Sequence, residues 1–250
     1  MNSGAAMKWS RYFGLVAIGL CCWTSLPATA WPVFKPSLSS GQVKQLPPAP
    51  PSTPPPNRTR SGGSLGDEAV CTAGDQSVRA LIPVENPVLT TAAHPTFLFY
   101  VPYGSEQVQY GEFSVLVGVN EMQRLYRTRF MLPAQPGIVS IQLPESPDYQ
   151  LKEDTFYHWY FKLACAGHTT PNIQVDGWVQ RVALTPDRQR QIDSASPEVW
   201  YDALAQVAEQ RLTDPQNPAL MTQWQNLLTT INATELIEMP IVGSVQLQSE

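Results

Sequence analysis

Leu151-Lys152-Glu153-Asp154-Thr155-Phe156-Tyr157-His158-Trp159-Tyr160-Phe161-Lys162-Leu163-Ala164-Cys165 is the stretch whose reading decides the fold. Leu151, Thr155, Tyr157, Trp159, Phe161, Leu163 and Cys165 share one parity, so on an extended chain they project to the same side. His158 and Tyr160 take the opposite side. A strand so apolar on one face must bury that face against a second layer of structure.

The same period of two recurs on both sides of this segment. Seven strands are predicted: Val78 to Ile82, Thr96 to Val101, Tyr110 to Gly118, Gln123 to Leu132, Ile138 to Leu143, Phe156 to Cys165 and Ile173 to Val182. Phe97, Phe99 and Val101 share a face, as do Phe113, Val115 and Val117, and as do Val139, Ile141 and Leu143. Leu151 and Tyr157, with Thr155 between them, have the spacing of the tyrosine corner that locks the entry to the sixth strand of fibronectin type III and related sandwiches. The expectation is a mainly β fold: an immunoglobulin/fibronectin-like β-sandwich over 67–183, followed by a C-terminal α-helical hairpin over 184–240 and a tail over 241–250.

The hairpin follows from a change of period. Thr185-Pro186, Ser196-Pro197 and Asn217-Pro218 each pair a capping residue with a proline suited to the first helical turn. Trp200, Ala203, Leu204, Val207, Ala208 and Leu212 make one stripe, and Leu220, Trp224, Leu227, Leu228 and Ile231 a second. The pair resembles a single tetratricopeptide-type unit, which cannot bury both of its faces alone. It must dock on the sandwich, on another copy or on a partner.

Upstream, residues 1–30 read as a secretory signal. Lys8 and Arg11 form a positive start, Tyr12 to Leu26 an uncharged and mostly apolar run, and Ala28-Thr29-Ala30 a small-residue cleavage site. That run is shorter than the roughly 20 residues of a spanning helix, which favours cleavage near Ala30 over an uncleaved anchor. Residues 31–66 then read as a disordered, proline-rich tether, since nine prolines fall between Trp31 and Asn57. The expected location is periplasmic or secreted. Cys71 and Cys165 alone remain in the mature chain, and in an oxidising space a disulfide between them is the simplest reading. A zinc site of Cys71, Cys165 and His168 would lack a fourth ligand.

Charge narrows the partners. The chain carries a formal net charge of -5, yet all 21 acids lie from Asp67 onward, against ten of the 16 cations. Such a surface repels phosphate backbones and argues against nucleic acid. The local sequence signatures of catalysis are also missing. No Gly-x-Ser-x-Gly elbow accompanies His94, His158 or His168, and Asp67-Glu68 and Glu153-Asp154 fall where solvated acids are ordinary. No catalytic residue, cofactor or metal ligand is assigned.

Aromatic residues carry the functional expectation. Tyr100, Tyr103, Tyr110, Tyr157, Trp159, Tyr160, Trp178, Trp200 and Tyr201 are too many for one face of a small core. His158, Tyr160, Trp178, Trp200 and Tyr201 form a candidate interaction surface for an envelope protein or glycan, while cover of the outward aromatics by the helical hairpin is the favoured account.

Several short motifs occur in a fixed order: Pro95-Thr96-Phe97 with Phe99-Tyr100-Val101-Pro102, then Pro136-Gly137-Ile138, then Tyr157-His158-Trp159-Tyr160-Phe161 with Cys165. Gly177-Trp178-Val179-Gln180-Arg181-Val182 and Trp200-Tyr201-Asp202-Ala203-Leu204 complete the set. Together they resemble the cyanobacterial family catalogued as domain of unknown function 928, over roughly Cys71 to Pro240. The resemblance implies an exported cyanobacterial protein and supplies no activity. The function expected is non-enzymatic binding in the cell envelope. The alternative is an envelope hydrolase acting on glycan or peptide, which would need a pocket gathering His158, an acid and a serine.

Overall fold

The computed structural model describes residues 54–61, 71 and 76–248, all within the unit Pro48–Glu250. The export signal, the tether as far as residue 53 and the Gly-rich stretch after Ser61 lie outside the described residues. Among the described residues ten strands form: β1 (Arg79–Ala80), β2 (Leu89–Thr90), β3 (Thr96–Val101), β4 (Val108–Val117), β5 (Gln123–Met131), β6 (Gly137–Gln142), β7 (Phe156–Cys165), β8 (Ile173–Arg181), β9 (Ile241–Ser244) and β10 (Gln246–Leu247). They make a four-stranded sheet, β1-β3-β6-β9, and a six-stranded sheet, β10-β5-β4-β7-β8-β2. Each of the seven predicted strands has its counterpart, and β2, β9 and β10 are additional.

The two sheets face one another through the aromatic residues that the alternation placed inward. Phe99 of β3 stacks on Phe161 of β7 with ring centroids 4.0 Å apart, and Phe97 meets Phe113 of β4 at 5.1 Å. Trp159, Phe113 and Phe161 have no exposed surface. Room for the Trp159 indole comes from Gly177 directly opposite on β8: a Cβ there would sit 2.5 Å from both the indole and Ile82 Cδ1. Each large aromatic removed from water here contributes on the order of 2–3 kcal/mol before the ordering entropy is subtracted.

Tyr157 closes the loop before β7 as its spacing predicts. Its hydroxyl accepts the Lys152 backbone N–H at 2.8 Å, while Leu151 beside it is fully buried. Cys71 and Cys165 form a disulfide with Cα atoms 5.4 Å apart, so the zinc alternative is set aside.

Helices α1 (Pro186–Asp193), α2 (Trp200–Thr213) and α3 (Pro218–Thr230) follow β8. Thr185 and Asn217 cap α1 and α3 through their side chains, as two of the three residue pairs predicted, whereas Ser196 makes no side-chain cap and Pro197–Val199 form a 3-10 turn ahead of α2. Of the three docking options, the first is realised: α2 packs on β2, β3 and β9 of the same chain. Trp200 Nε1 donates to the Leu81 carbonyl at 2.8 Å. Trp159 Nε1 donates at 2.8 Å to the Tyr201 hydroxyl, which donates in turn to the Trp178 carbonyl at 3.0 Å. Asp202 accepts from the backbone N–H and the hydroxyl of Thr91, fixing the helix start to the loop after β2. Leu212, placed on the buried stripe by periodicity, lies in the last turn of α2 and is 52% exposed.

Two boundaries need correction. The tail over 241–250 is in large part structural, since β9 runs parallel to β6 in one sheet and β10 pairs with β5 in the other. The tether also ends earlier than residue 66, because residues 54–61 form a strap across both sheets. Arg58 bridges to Asp176 on β8, Arg60 bridges to Arg79 on β1, and Ala80 N–H donates to the Thr59 carbonyl at 2.8 Å. Asn57 is the anchor of the strap. Its side chain donates to the Pro83 carbonyl at 2.8 Å and accepts the Trp178 N–H at 2.7 Å.

Candidate functional site on the outer face of the larger sheet

Parity dictates which residues leave the core. On β7 the outward residues are His158, Tyr160 and Lys162; their register partners are Leu116, Ser114 and Glu112 on β4, and Trp178, Asp176 and Gln174 on β8. On β5 the pairing shifts past Leu125, so Arg124, Arg127 and Arg129 stay opposite Leu116, Ser114 and Glu112. Without that bulge Arg124 would sit on the opposite parity, toward the core. The outer face of the six-stranded sheet is therefore a grid of charged and aromatic side chains.

His158 is the centre of the grid. It is 6% exposed, and its ring stacks on the Trp178 indole with centroids 4.0 Å apart and planes within 10°. Nε2 meets Asp176 Oδ2 at 3.1 Å, and Nδ1 meets Glu121 Oε1 in a short contact. Glu121 comes from the β4–β5 turn with φ of 51°, a left-handed conformation that is uncommon for glutamate. From there its carboxylate also accepts the Tyr160 hydroxyl at 3.0 Å. A strained turn residue held by its side chain in a polar cluster is the kind of local outlier that functional sites retain.

Asp176 completes the cluster. It accepts from Gln174 Nε2 at 3.1 Å and lies 3.6 Å from Arg58 Nε on the strap. Burial by itself would raise this carboxyl. Hydrogen bonds from His158 and Gln174, with the charges of His158 and Arg58, outweigh it and hold the group below its ordinary value. Tyr160 moves the other way: burial first, then the Glu121 carboxylate, push its phenol well above the usual range.

A shallow cleft of about 370 Å³ adjoins the cluster. Lys162, Gln174 and Asn172 line it, together with Glu112, Arg127 and Ile173. Arg127 holds Glu112 through Nη2 at 2.6 Å, and the Lys162 ammonium lies 5.2 Å from the Tyr160 ring centroid. Cleft and cluster are thus one surface, joined by Gln174 and Lys162.

Three of the five residues singled out from sequence meet here: His158, Tyr160 and Trp178. Trp200 and Tyr201 do not. At 1% and 2% exposure they belong to the α2 contact with the sheets, where their N–H and O–H groups are already engaged. Glu121, Asp176 and Arg58 were missed, because Glu121 and Asp176 reach His158 from a turn and a neighbouring strand, and Arg58 reaches Asp176 from the strap. Lys162 was within reach of sequence reasoning, since it continues the outward parity of His158 and Tyr160. His94 lies elsewhere, with Nε2 3.0 Å from the Ser146 carbonyl, and the His168 N–H donates to the Cys165 carbonyl at 2.9 Å. Among the described residues, no group of three or more His, Cys, Asp or Glu could hold a metal ion, and no helix is long and apolar enough to cross a membrane.

The fold and this surface define a mainly β protein of two sheets with a helical C-terminal part, carrying a polar cluster on the outside of its larger sheet. The chain belongs to the family described as Domain of Unknown Function (DUF928), which matches residues 58–241. The match begins in the strap, in keeping with the structural start of the domain. No curated protein matches the chain.

Proposed function

We propose that this is a non-enzymatic binding protein working outside the cytoplasm, and that it meets its partner through the outer face of the six-stranded sheet. The observation that carries the reading is the Glu121–His158–Asp176 arrangement with Tyr160 and Trp178. It orders polar groups on a face that does not serve the core.

The rival hydrolase needs His158 to accept a proton from a nucleophile. Both of its ring nitrogens are occupied by carboxylates, and Ser114, the serine on the same face, stands opposite Tyr160 rather than His158. A histidine so clamped organises neighbours better than it shuttles protons.

Strand order supports a fibronectin-like sandwich beneath this surface. β1-β3-β6 in one sheet and β5-β4-β7-β8 in the other follow the two-sheet division of such domains, with the Tyr157 corner at the entry to β7. The Cys71–Cys165 bridge supports an oxidising compartment, in agreement with the signal read at residues 1–30 and with the cyanobacterial envelope origin that the family resemblance implies.

The test compares the full chain with a Lys162→Gln, Tyr160→Phe double variant in cross-linked capture from an envelope fraction, alongside turnover assays on peptidoglycan and simple esters. A ligand held by the wild type and lost from the variant is the expected result. Turnover abolished by His158→Ala would overturn the reading in favour of a hydrolase.

A further inference from the structure

We infer that the cleft beside His158 binds an acidic polysaccharide, a chain of sugars bearing carboxylate or sulfate groups. This rests on the binding reading above and names its ligand class. Three features of the outer sheet face point to it.

The first is charge segregation. From Asp67 onward the chain holds ten cations against 21 acids, so a polyanion is repelled by most of its surface. Yet Arg124, Arg127, Arg129 and Lys162 stand together on this one face, and Arg58 lies against it from the strap. Facing these five cations are three acids, Glu112, Glu121 and Asp176, each engaged within the surface. Among the described residues Lys162 has no ion pair, which leaves its ammonium available in the cleft.

The second is the pair of amide side chains. Asn172 uses Oδ1 to accept the Cys165 N–H at 3.1 Å, and Gln174 uses Nε2 to donate to Asp176 at 3.1 Å. Each is held by one end, and the other end has no protein partner among the described residues. The cleft therefore presents an oriented amide donor at Asn172 Nδ2 and an oriented acceptor at Gln174 Oε1. Sugar hydroxyls, which donate and accept at once, match such a pair.

The third is the scarcity of apolar anchoring. A peptide usually seats a hydrophobic or aromatic side chain in a pocket. The apolar wall here is Pro171 and Ile173, and Ile173 is only 5% exposed. Half-buried Tyr160 beside Lys162, and Tyr110 beneath the Arg129 guanidinium at 4.6 Å, instead offer flat rings next to positive charge. A pyranose ring with a carboxylate or sulfate substituent uses both.

The experiment is biolayer interferometry with the full chain at low ionic strength against immobilised polygalacturonate, dextran sulfate, neutral dextran and poly-L-glutamate. Binding to polygalacturonate, to dextran sulfate or to both is expected, and the two arms tell the carboxylate source from the sulfate source. Neutral dextran should not bind, affinity should fall with added salt, and Lys162→Gln should weaken binding about tenfold while Lys162→Arg restores most of it. An unchanged urea midpoint for Lys162→Gln shows that the loss is not unfolding. Equal binding of poly-L-glutamate, no response to either acidic polysaccharide, or indifference to Lys162→Gln overturns the inference. If the envelope capture described above still loses its ligand in the double variant, the binding reading survives that failure; if both experiments fail, it falls as well.

Discussion

The Tyr157 hydroxyl accepts the backbone N–H of Lys152 across the turn that leads into β7, at 2.8 Å. One side chain thereby fixes where β7 begins, and with it which residues of that strand face inward. Tyr157→Phe keeps the buried ring and removes the acceptor. The variant should lose about 1 kcal/mol of stability, read as a lower urea midpoint with an unchanged slope.

The Cys71–Cys165 bridge closes a loop with a sequence separation of 94 residues. Constraint of the unfolded chain by a loop of that length is worth about 4–5 kcal/mol in the entropy model. A Cys71→Ala, Cys165→Ala double variant should unfold at markedly lower urea, and the wild type under reducing conditions should approach it. Thiol labelling of the unreduced, denatured protein should find neither cysteine free.

Helix α2 is fastened to the sheets by Tyr201, whose hydroxyl stands between Trp159 and the Trp178 carbonyl. Tyr201→Phe leaves a buried donor and a buried acceptor unmatched, at a cost of about 2 kcal/mol. Leu212→Ala, at an exposed position of the same helix, should change stability by less than about 0.5 kcal/mol. Chemical denaturation of the two variants side by side measures the difference.

Asp176 supplies the pH dependence. Its carboxyl is held below its ordinary value of 3.8, so the folded state binds this proton less readily than the unfolded chain. The stabilisation it provides is complete above that value and disappears as pH falls through the folded one. Between about pH 5 and pH 2 the wild type should lose stability more steeply than Asp176→Asn, as followed by thermal unfolding at each pH.

Removing the strap should cost more than shortening the tether. A chain beginning at residue 54 should match the longer protein in thermal stability, whereas one beginning at residue 67 loses the Asn57 bonds to Pro83 and Trp178 and the Arg58–Asp176 pair. The second chain should unfold several degrees lower, with faster amide exchange in β8.

Much of the architecture was legible because its causes are local. Alternation along β3, β4, β6 and β7 is a property of adjacent residues, so the inward set of Phe97, Phe99, Phe113, Trp159 and Phe161 could be named from spacing alone. Thr185-Pro186 and Asn217-Pro218 likewise start α1 and α3 where capping chemistry requires. Two of the short edge strands leave no such mark. β2 and β10 have two residues each, too few for a period, and exist only because β8 and β5 offer them unpaired backbone groups.

For the candidate site the division is sharper. Sequence determined that His158 and Tyr160 leave the core, since their inward neighbours are too apolar to do otherwise. Tertiary structure alone decided that Glu121 and Asp176 close on His158 with Arg58 behind Asp176, and that Trp200 and Tyr201 are spent on holding a helix. The physical reason is range: side-chain parity is set by the adjacent peptide units, whereas the meeting of a turn, two strands and a strap depends on how sheets register and which surfaces the helices cover.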